Sequence, residues 1–208
     1  MKELYITRHG QTEWNVAGRL QGISNSPLTE KGAADAKRLG KRLAAVPIDK
    51  VFCSDLLRAQ ETAALIMQDR APIVTDPRLR ELHMGNWEAK LLQDLKEEEP
   101  EIYRQFETGS AGFHPAGGES MRTVWDRVKE ALTEIEDDPA DTALIVCHGK
   151  TQGLLLDILQ GKEFGGDTRV LPGTALSHFV REEGVWRAVL LGDTRHIEGI
   201  TTNEYQVE

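Results

Sequence analysis

Two short apolar runs, Leu4 to Ile6 and Ala143 to Cys147, lead into a histidine followed by glycine. Unbroken runs of this length read as strands buried on both faces, and such strands belong to parallel sheets covered by helices. Ending them at Arg8-His9-Gly10 and His148-Gly149 puts an arginine, two histidines and permissive glycines at strand carboxyl ends. That is where open α/β sheets bind ligands. Arg8 can fork two hydrogen bonds onto a phosphate, and His9 is a nitrogen nucleophile available near neutral pH. Gly10 lets the backbone turn away and come close to a ligand.

The remaining sequence alternates strand and helix signals. Pro27-Leu28-Thr29-Glu30-Lys31 opens a helix with Thr29 as N-cap, and Ala36, Leu39 and Leu43 carry its apolar stripe to about Val46, before Pro47. Lys50 to Ser54 reads as a strand, Leu56 to Gln68 as a helix, and Ile73 to Thr75 as a short strand. Residues 84–120 are less regular, with a short acidic helix over Leu91 to Glu99 and then five glycines and prolines at 109, 112, 115, 117 and 118. Such a stretch reads as an inserted lid. A helical stripe follows from Met121 to Ile135, then a buried strand from Thr142 to Cys147 and a helix from Gln152 to Gln160. Ala175 to Val180 and Val185 to Leu191, joined by Glu182-Glu183-Gly184, read as an antiparallel hairpin. The expected fold is a three-layer αβα sandwich whose sheet is mostly parallel with an antiparallel edge.

A chain of 208 residues suits one domain, 1–208, with a full core. Lys and Arg number 25 against 34 Asp and Glu, a formal net charge of −9. That balance speaks against a nucleic-acid partner and against docking on an anionic membrane. Any basic pocket must therefore be local. Cys53 and Cys147 each sit in an apolar run without zinc-type spacing and read as small buried residues. The first strand begins almost at Met1, leaving no room for a signal peptide, and no apolar run approaches membrane-spanning length, so a cytoplasmic location is expected.

Four places set polar residues at predicted strand ends: Arg8-His9, the stretch Ser54-Asp55-Leu56-Leu57-Arg58, the stretch Arg80-Glu81-Leu82-His83, and His148-Gly149. Singly, Arg58 reads equally as a surface helix charge and His148 as a core histidine. Together, two arginines, two histidines and one glutamate at one sheet edge make a phosphate site. Guanidiniums neutralise phosphoryl oxygens, one imidazole attacks, a second stabilises charge, and a carboxylic acid protonates the leaving oxygen.

In this arrangement the chain resembles the histidine phosphatase superfamily, also called phosphoglycerate mutase-like. The matching stretches are Arg8-His9-Gly10-Gln11-Thr12 with Trp14-Asn15, Gln21-Gly22, Pro27 to Gly32, Ser54 to Ala63, Glu81 to Glu88, Gly118-Glu119-Ser120 and Val146 to Gly149. The resemblance implies that His9 is the nucleophile and transient phosphohistidine, with Arg8, Arg58 and His148 as the phosphate clamp and Glu81 as general acid and later base. It further implies that Asn15 and Gln21 hydrogen-bond the phosphoryl oxygens beside Gly149. Glu88 and Glu119 are expected to orient the lid and the helix after it. No cofactor and no metal are implied, because guanidiniums supply the positive charge and the six histidines lack metal-ligand spacing.

The expected partners are a small phosphomonoester substrate and inorganic phosphate, on a monomer or homodimer. Three readings follow: a phosphomonoester hydrolase, a cofactor-dependent phosphoglycerate mutase, and a non-catalytic phospholigand-binding module. The Glu81 to Glu88 stretch resembles the broad-specificity bacterial phosphatase branch, and the acidic lid between Asp94 and Glu107 suits a bisphosphorylated intermediate poorly. All five core positions are intact, which disfavours the binding module. Mutases of the family are generally longer than this chain. His83, His114, His178 and His196 read as surface or packing residues, and Trp14 and Trp87 as braces of the pocket.

Overall fold

The computed structural model describes residues 1–166 and 168–197. Six strands form one sheet: β1 (Glu3–Arg8), β2 (Lys50–Cys53), β3 (Ile73–Thr75), β4 (Thr142–Cys147), β5 (Leu176–Glu182) and β6 (Val185–Asp193), in the order β3-β2-β4-β1-β5-β6. The first four run parallel, and the β5–β6 hairpin adds an antiparallel edge beside β1. Seven helices are described: α1 (Glu13–Val16), α2 (Glu30–Arg42), α3 (Leu57–Met67), α4 (Leu92–Glu98), α5 (Pro100–Thr108), α6 (Met121–Asp137) and α7 (Gly149–Leu159).

Strand alternation sorts the core into two layers. Leu4, Ile6, Ala143, Ile145 and Cys147 point to one face, where α6 and α7 supply Val124, Val128, Leu132, Leu154 and Leu155. Tyr5, Val51, Cys53, Leu144 and Val146 point to the other, against Leu39 and Leu43 of the α2 side and Ala63 and Ile66 of α3. The three-layer α/β sandwich expected from the strand and helix signals is therefore the observed fold.

Two boundaries and one element differ from the sequence reading for physical reasons. Helix α2 stops at Arg42 rather than near Val46; Leu43 remains buried as its C-cap, so the apolar stripe outlasts the helix. Helix α7 starts at Gly149, not Gln152, directly off the end of β4, with His148 as an N-cap that makes no side-chain cap bond. Helix α5 was not expected. Pro100 stands in its first turn and Gly109 ends it in a left-handed conformation (φ 72°), the ordinary start and stop signals.

The segment over residues 84–120 is anchored from inside. Trp87, Leu95 and Phe113 are fully buried, and the Trp87 and Phe106 rings both approach Phe113 at 5.4 Å. Its backbone also engages the chain after β1: the Leu20 amide donates to the Lys90 carbonyl and the Leu92 amide to that of Gly18. No helix among the described residues is long and apolar enough to cross a membrane.

Candidate active site

Parallel pairing of β1 with β4 decides the centre of the site. Arg8 is in register with Cys147, and the His9 amide donates to the Cys147 carbonyl at 2.9 Å. The next residues, His9 and His148, therefore emerge side by side, with ring centroids 5.1 Å apart and planes inclined by 57°. Both are buried, His9 at 2% exposure and His148 at 0%.

Burial, together with Arg58 and Arg8, holds the His9 imidazole well below its ordinary pKa, and only the Gly10 carbonyl opposes that shift. Nδ1 of His9 lies 2.7 Å from the Gly10 oxygen. A carbonyl can only accept, so Nδ1 carries the proton and the Nε2 lone pair is left free. Close packing supports the turn: a Cβ on Gly10 would stand 2.7 Å from the Gly32 carbonyl oxygen. The Gly10 amide donates to Thr62 Oγ1, whose hydroxyl donates in turn to the Arg58 carbonyl. His148 is likewise kept neutral, by burial first and then by Arg58, His9 and Arg8. Neither of its ring nitrogens has a hydrogen-bond partner in the protein.

Two arginines border the pair. Arg58, 1% exposed in the first turn of α3, spends Nη1 on the Ser24 carbonyl and Nη2 on that of Gly22, at 2.8 and 2.7 Å. Its buried Nε has no protein partner. Burial lowers its pKa to about 10, which leaves it cationic at neutral pH. Arg8 donates through Nη1 to the Leu171 carbonyl, and its Nε is also buried without a protein partner. Buried donors of this kind demand an acceptor, and an anion is the acceptor that two guanidiniums favour.

Glu81 supplies the cap that α7 lacks. Its Oε1 accepts from the amides of Leu82 (2.9 Å) and Thr151 (3.3 Å), and its Oε2 from that of Lys150 (3.3 Å). A Cβ on Gly149 would stand 3.4 Å from Glu81 Oε2 and 3.5 Å from Arg8 Cζ. Gly149 thus lies between the carboxyl group and the guanidinium, and its place at the first position of α7 leaves its amide among the helix's free donors.

Asn15 and Gln21 are placed by loop chemistry. Asn15 Oδ1 accepts from the Thr12 amide and hydroxyl in a capping box at α1, so its Nδ2 is the end left to donate. Gln21 is buried with Oε1 unpartnered; turning the amide by half a rotation puts its donor there. The loop after Gln21 is held from two sides, by Arg58 and by Glu88, whose carboxylate accepts from the amides of Ile23, Ser24 and Met84. Glu88 therefore orients this loop as well as its own segment, a wider role than the lid contact expected.

The loop at Leu171 to Thr174 also borders the site, although no motif in the sequence marks it as functional. Its carbonyl at Leu171 takes Arg8, and the Thr174 amide donates to the Arg8 carbonyl. The adjacent Pro172-Gly173 pair was the available turn signal. Of the other histidines, His83 is half-buried with Nε2 3.7 Å from the Glu88 carboxylate, and the rest pack or bind backbone. His178 stacks on Tyr5 at 4.1 Å, His196 donates to the Thr174 carbonyl, and His114 contacts that of Gly118. Cys147 behaves as a packing residue, since burial pushes its thiol up to about 12.

A sheet edge that brings a neutral, tautomer-fixed histidine against unpaired arginine donors and a second histidine has the equipment of an enzyme that handles phosphoryl groups. The chain belongs to the histidine phosphatase superfamily (branch 1), whose family model matches residues 4–194. It is 36% identical to the probable phosphoglycerate mutase GpmB of Cronobacter sakazakii, over 99% of this chain and 100% of the relative. Among solved structures it is similar to Bacillus stearothermophilus YhfR, with a TM-score of 0.88 and 37% identity over 95% of this chain and all of the other. It is also similar to the α-ribazole phosphatase of Shigella flexneri, with a TM-score of 0.82 and 29% identity over 92% of this chain and 96% of that one. The protein is an enzyme of this phosphatase class.

Proposed function

We propose that the protein hydrolyses phosphomonoesters of small metabolites through a phosphohistidine at His9, without a metal ion. The observation that carries this reading is the Nδ1 contact of His9 with the Gly10 carbonyl, which leaves Nε2 as a nucleophile beside the unpartnered donors of Arg8 and Arg58. In the first half-reaction Nε2 attacks phosphorus, the ester P–O bond breaks, and Glu81 gives its proton to the leaving oxygen. The imidazolium character that develops is met by the Gly10 carbonyl. Arg8, Arg58 and His148 hold the equatorial oxygens, with Asn15, Gln21 and the Gly149 amide as further donors. In the second half-reaction water attacks phosphorus, the Glu81 carboxylate takes its proton, the N–P bond breaks, and inorganic phosphate leaves with His9 neutral again. The segment over 84–120 serves as the lid of this site.

The similarity to GpmB favours phosphoglycerate mutase as the second reading. Chain length does not separate the two, because that relative is covered end to end. The charge of the lid supports hydrolysis: its helices carry Asp94, Glu97, Glu98, Glu101 and Glu107 against Lys96 and Arg104, and Arg104 is paired to Glu101. An acidic lid holds a doubly phosphorylated intermediate poorly.

Incubation with para-nitrophenyl phosphate in EDTA, and separately with 3-phosphoglycerate plus a trace of bisphosphoglycerate, tests the reading. Metal-independent phosphate release with little 2-phosphoglycerate supports it. Isomerisation without phosphate release identifies a mutase, and phosphate binding without turnover a binding module.

A further inference from the structure

We propose that Arg127 and Glu119 form a positioning pair that sets where the Glu81 carboxyl group sits, and so controls proton transfer to the leaving group. The inference rests on the reading of Glu81 as the proton donor.

Glu81 lies on a segment with no strand ladder to hold it. After the short turn Pro77–Leu79, Arg80 is extended (φ −58°, ψ 157°) and the chain runs irregularly to Gly85. Three of its carbonyls are taken instead by one side chain from α6. Arg127 donates from Nη1 to the carbonyls of Arg78 (2.5 Å) and Arg80 (2.8 Å), and from Nη2 to that of Glu81 itself (3.1 Å). The other side of the same guanidinium grips Glu119 in a fork, Nε to Oε1 at 3.0 Å and Nη2 to Oε2 at 3.1 Å.

Glu119 closes the circuit. Its Oε2 accepts from the His83 amide at 2.9 Å, and its own amide donates to the His83 carbonyl at 2.9 Å. The pair therefore grasps the chain immediately before Glu81, at it and two residues after it. Burial would raise the Glu119 carboxyl, but bonds from Arg127 and the His83 amide outweigh burial and hold it below the usual carboxylate range. Glu119 stays ionised and serves the pair rather than the proton transfer. Thr151 adds a further bond to the Arg80 carbonyl at 2.6 Å, tying the same segment to α7.

A general acid must reach the leaving oxygen within hydrogen-bond distance, and a displacement of about 1 Å can cost on the order of 100-fold in rate. Loosening the segment should therefore act as partial loss of Glu81, felt most by poor leaving groups. The test compares para-nitrophenyl phosphate with glycerol phosphate, for the wild type, Glu81→Gln, Arg127→Met, Arg127→Lys, Glu119→Gln and the double variant Glu81→Gln/Arg127→Met. Glu81→Gln should lower kcat on glycerol phosphate at least ~100-fold and on para-nitrophenyl phosphate less than ~10-fold. Arg127→Met should show the same asymmetry, roughly 30-fold against less than threefold, with Arg127→Lys intermediate and the double variant no slower than Glu81→Gln alone. If Arg127→Met fails to fold, the isosteric Glu119→Gln carries the comparison, with about a 10-fold asymmetric loss expected.

Equal slowing of both substrates in every folded single variant of the pair, or losses that multiply in the double variant, would overturn the proposal while leaving Glu81 as the acid. Symmetric loss in Glu81→Gln itself would overturn both. Failure of the wild type to release phosphate from either substrate would remove the hydrolase reading, and the pair's role with it.

Discussion

His9 and His148 face one another because the strands that deliver them run parallel in register, with the His9 amide bonded to the carbonyl of the residue before His148. The backbone positions from which the two imidazoles project are therefore set by the sheet's own hydrogen bonds. Their difference in role follows from their partners. His9 has the Gly10 carbonyl to hold its tautomer, while His148 has no protein partner on either nitrogen.

Replacing His9 with alanine should abolish turnover and phosphoenzyme formation with the fold retained. Rapid quenching of the wild type with labelled substrate should trap an acid-labile, base-stable adduct on His9. Label recovered on Ser54, Cys147 or His148 would reassign the nucleophile.

Arg58→Ala and His148→Ala should each lower kcat/KM at least ~100-fold, the scale of one lost charge-stabilising contact. Arg58→Ala should also loosen the Gln21 to Ser24 loop, because two of the guanidinium's bonds go to the Gly22 and Ser24 carbonyls. Steady-state kinetics on both variants decides the point, and changes below threefold would take them out of the clamp.

Stability should fall with pH below about 6.5, the unperturbed imidazole value, in buffer free of phosphate. His9 and His148 are both held neutral in the folded protein, well below that value. The unfolded chain therefore binds protons that the folded one does not, and stability present above pH 6.5 is lost as pH drops towards the lowered values. Each such histidine contributes a slope of about 1.4 kcal/mol per pH unit. Urea titrations from pH 7.5 to 5 should show the slope reduced by about that amount in His148→Asn. An unchanged slope would mean that His148 is not buried neutral.

Trp87→Ala should destabilise the protein by about 3–5 kcal/mol, the range for emptying a large buried aromatic site. Trp87 is fully buried, meets Phe113 and Phe106, and donates its indole N–H to Glu99. Its role as a brace, expected from sequence, is thus a packing role in the segment over 84–120. Chemical denaturation measures the loss; a cost under 1 kcal/mol would show that the segment is held without it.

Local pattern along the chain accounts for the material of the fold and the kinds of chemistry at its edge. Leu4 to Ile6 and Ala143 to Cys147 read as strands buried on both faces, and their ends point to Arg8, His9 and His148 on the ligand side of a parallel sheet. The cap at Thr29 and the hairpin turn at Gly184 were equally local, since each depends on what one or two residues allow the backbone to do. The tertiary structure decided what depends on partners distant in sequence. It placed Glu81 on the bare end of α7, because a helix that starts without a capping side chain leaves amides that a carboxylate from elsewhere can satisfy. It tied Arg58 to the Gly22–Ser24 loop, Arg8 to Leu171, and the Glu81 segment to Arg127. Bonds of this kind connect side chains to backbone groups whose positions exist only once the sheet and helices have packed, and no local pattern encodes them.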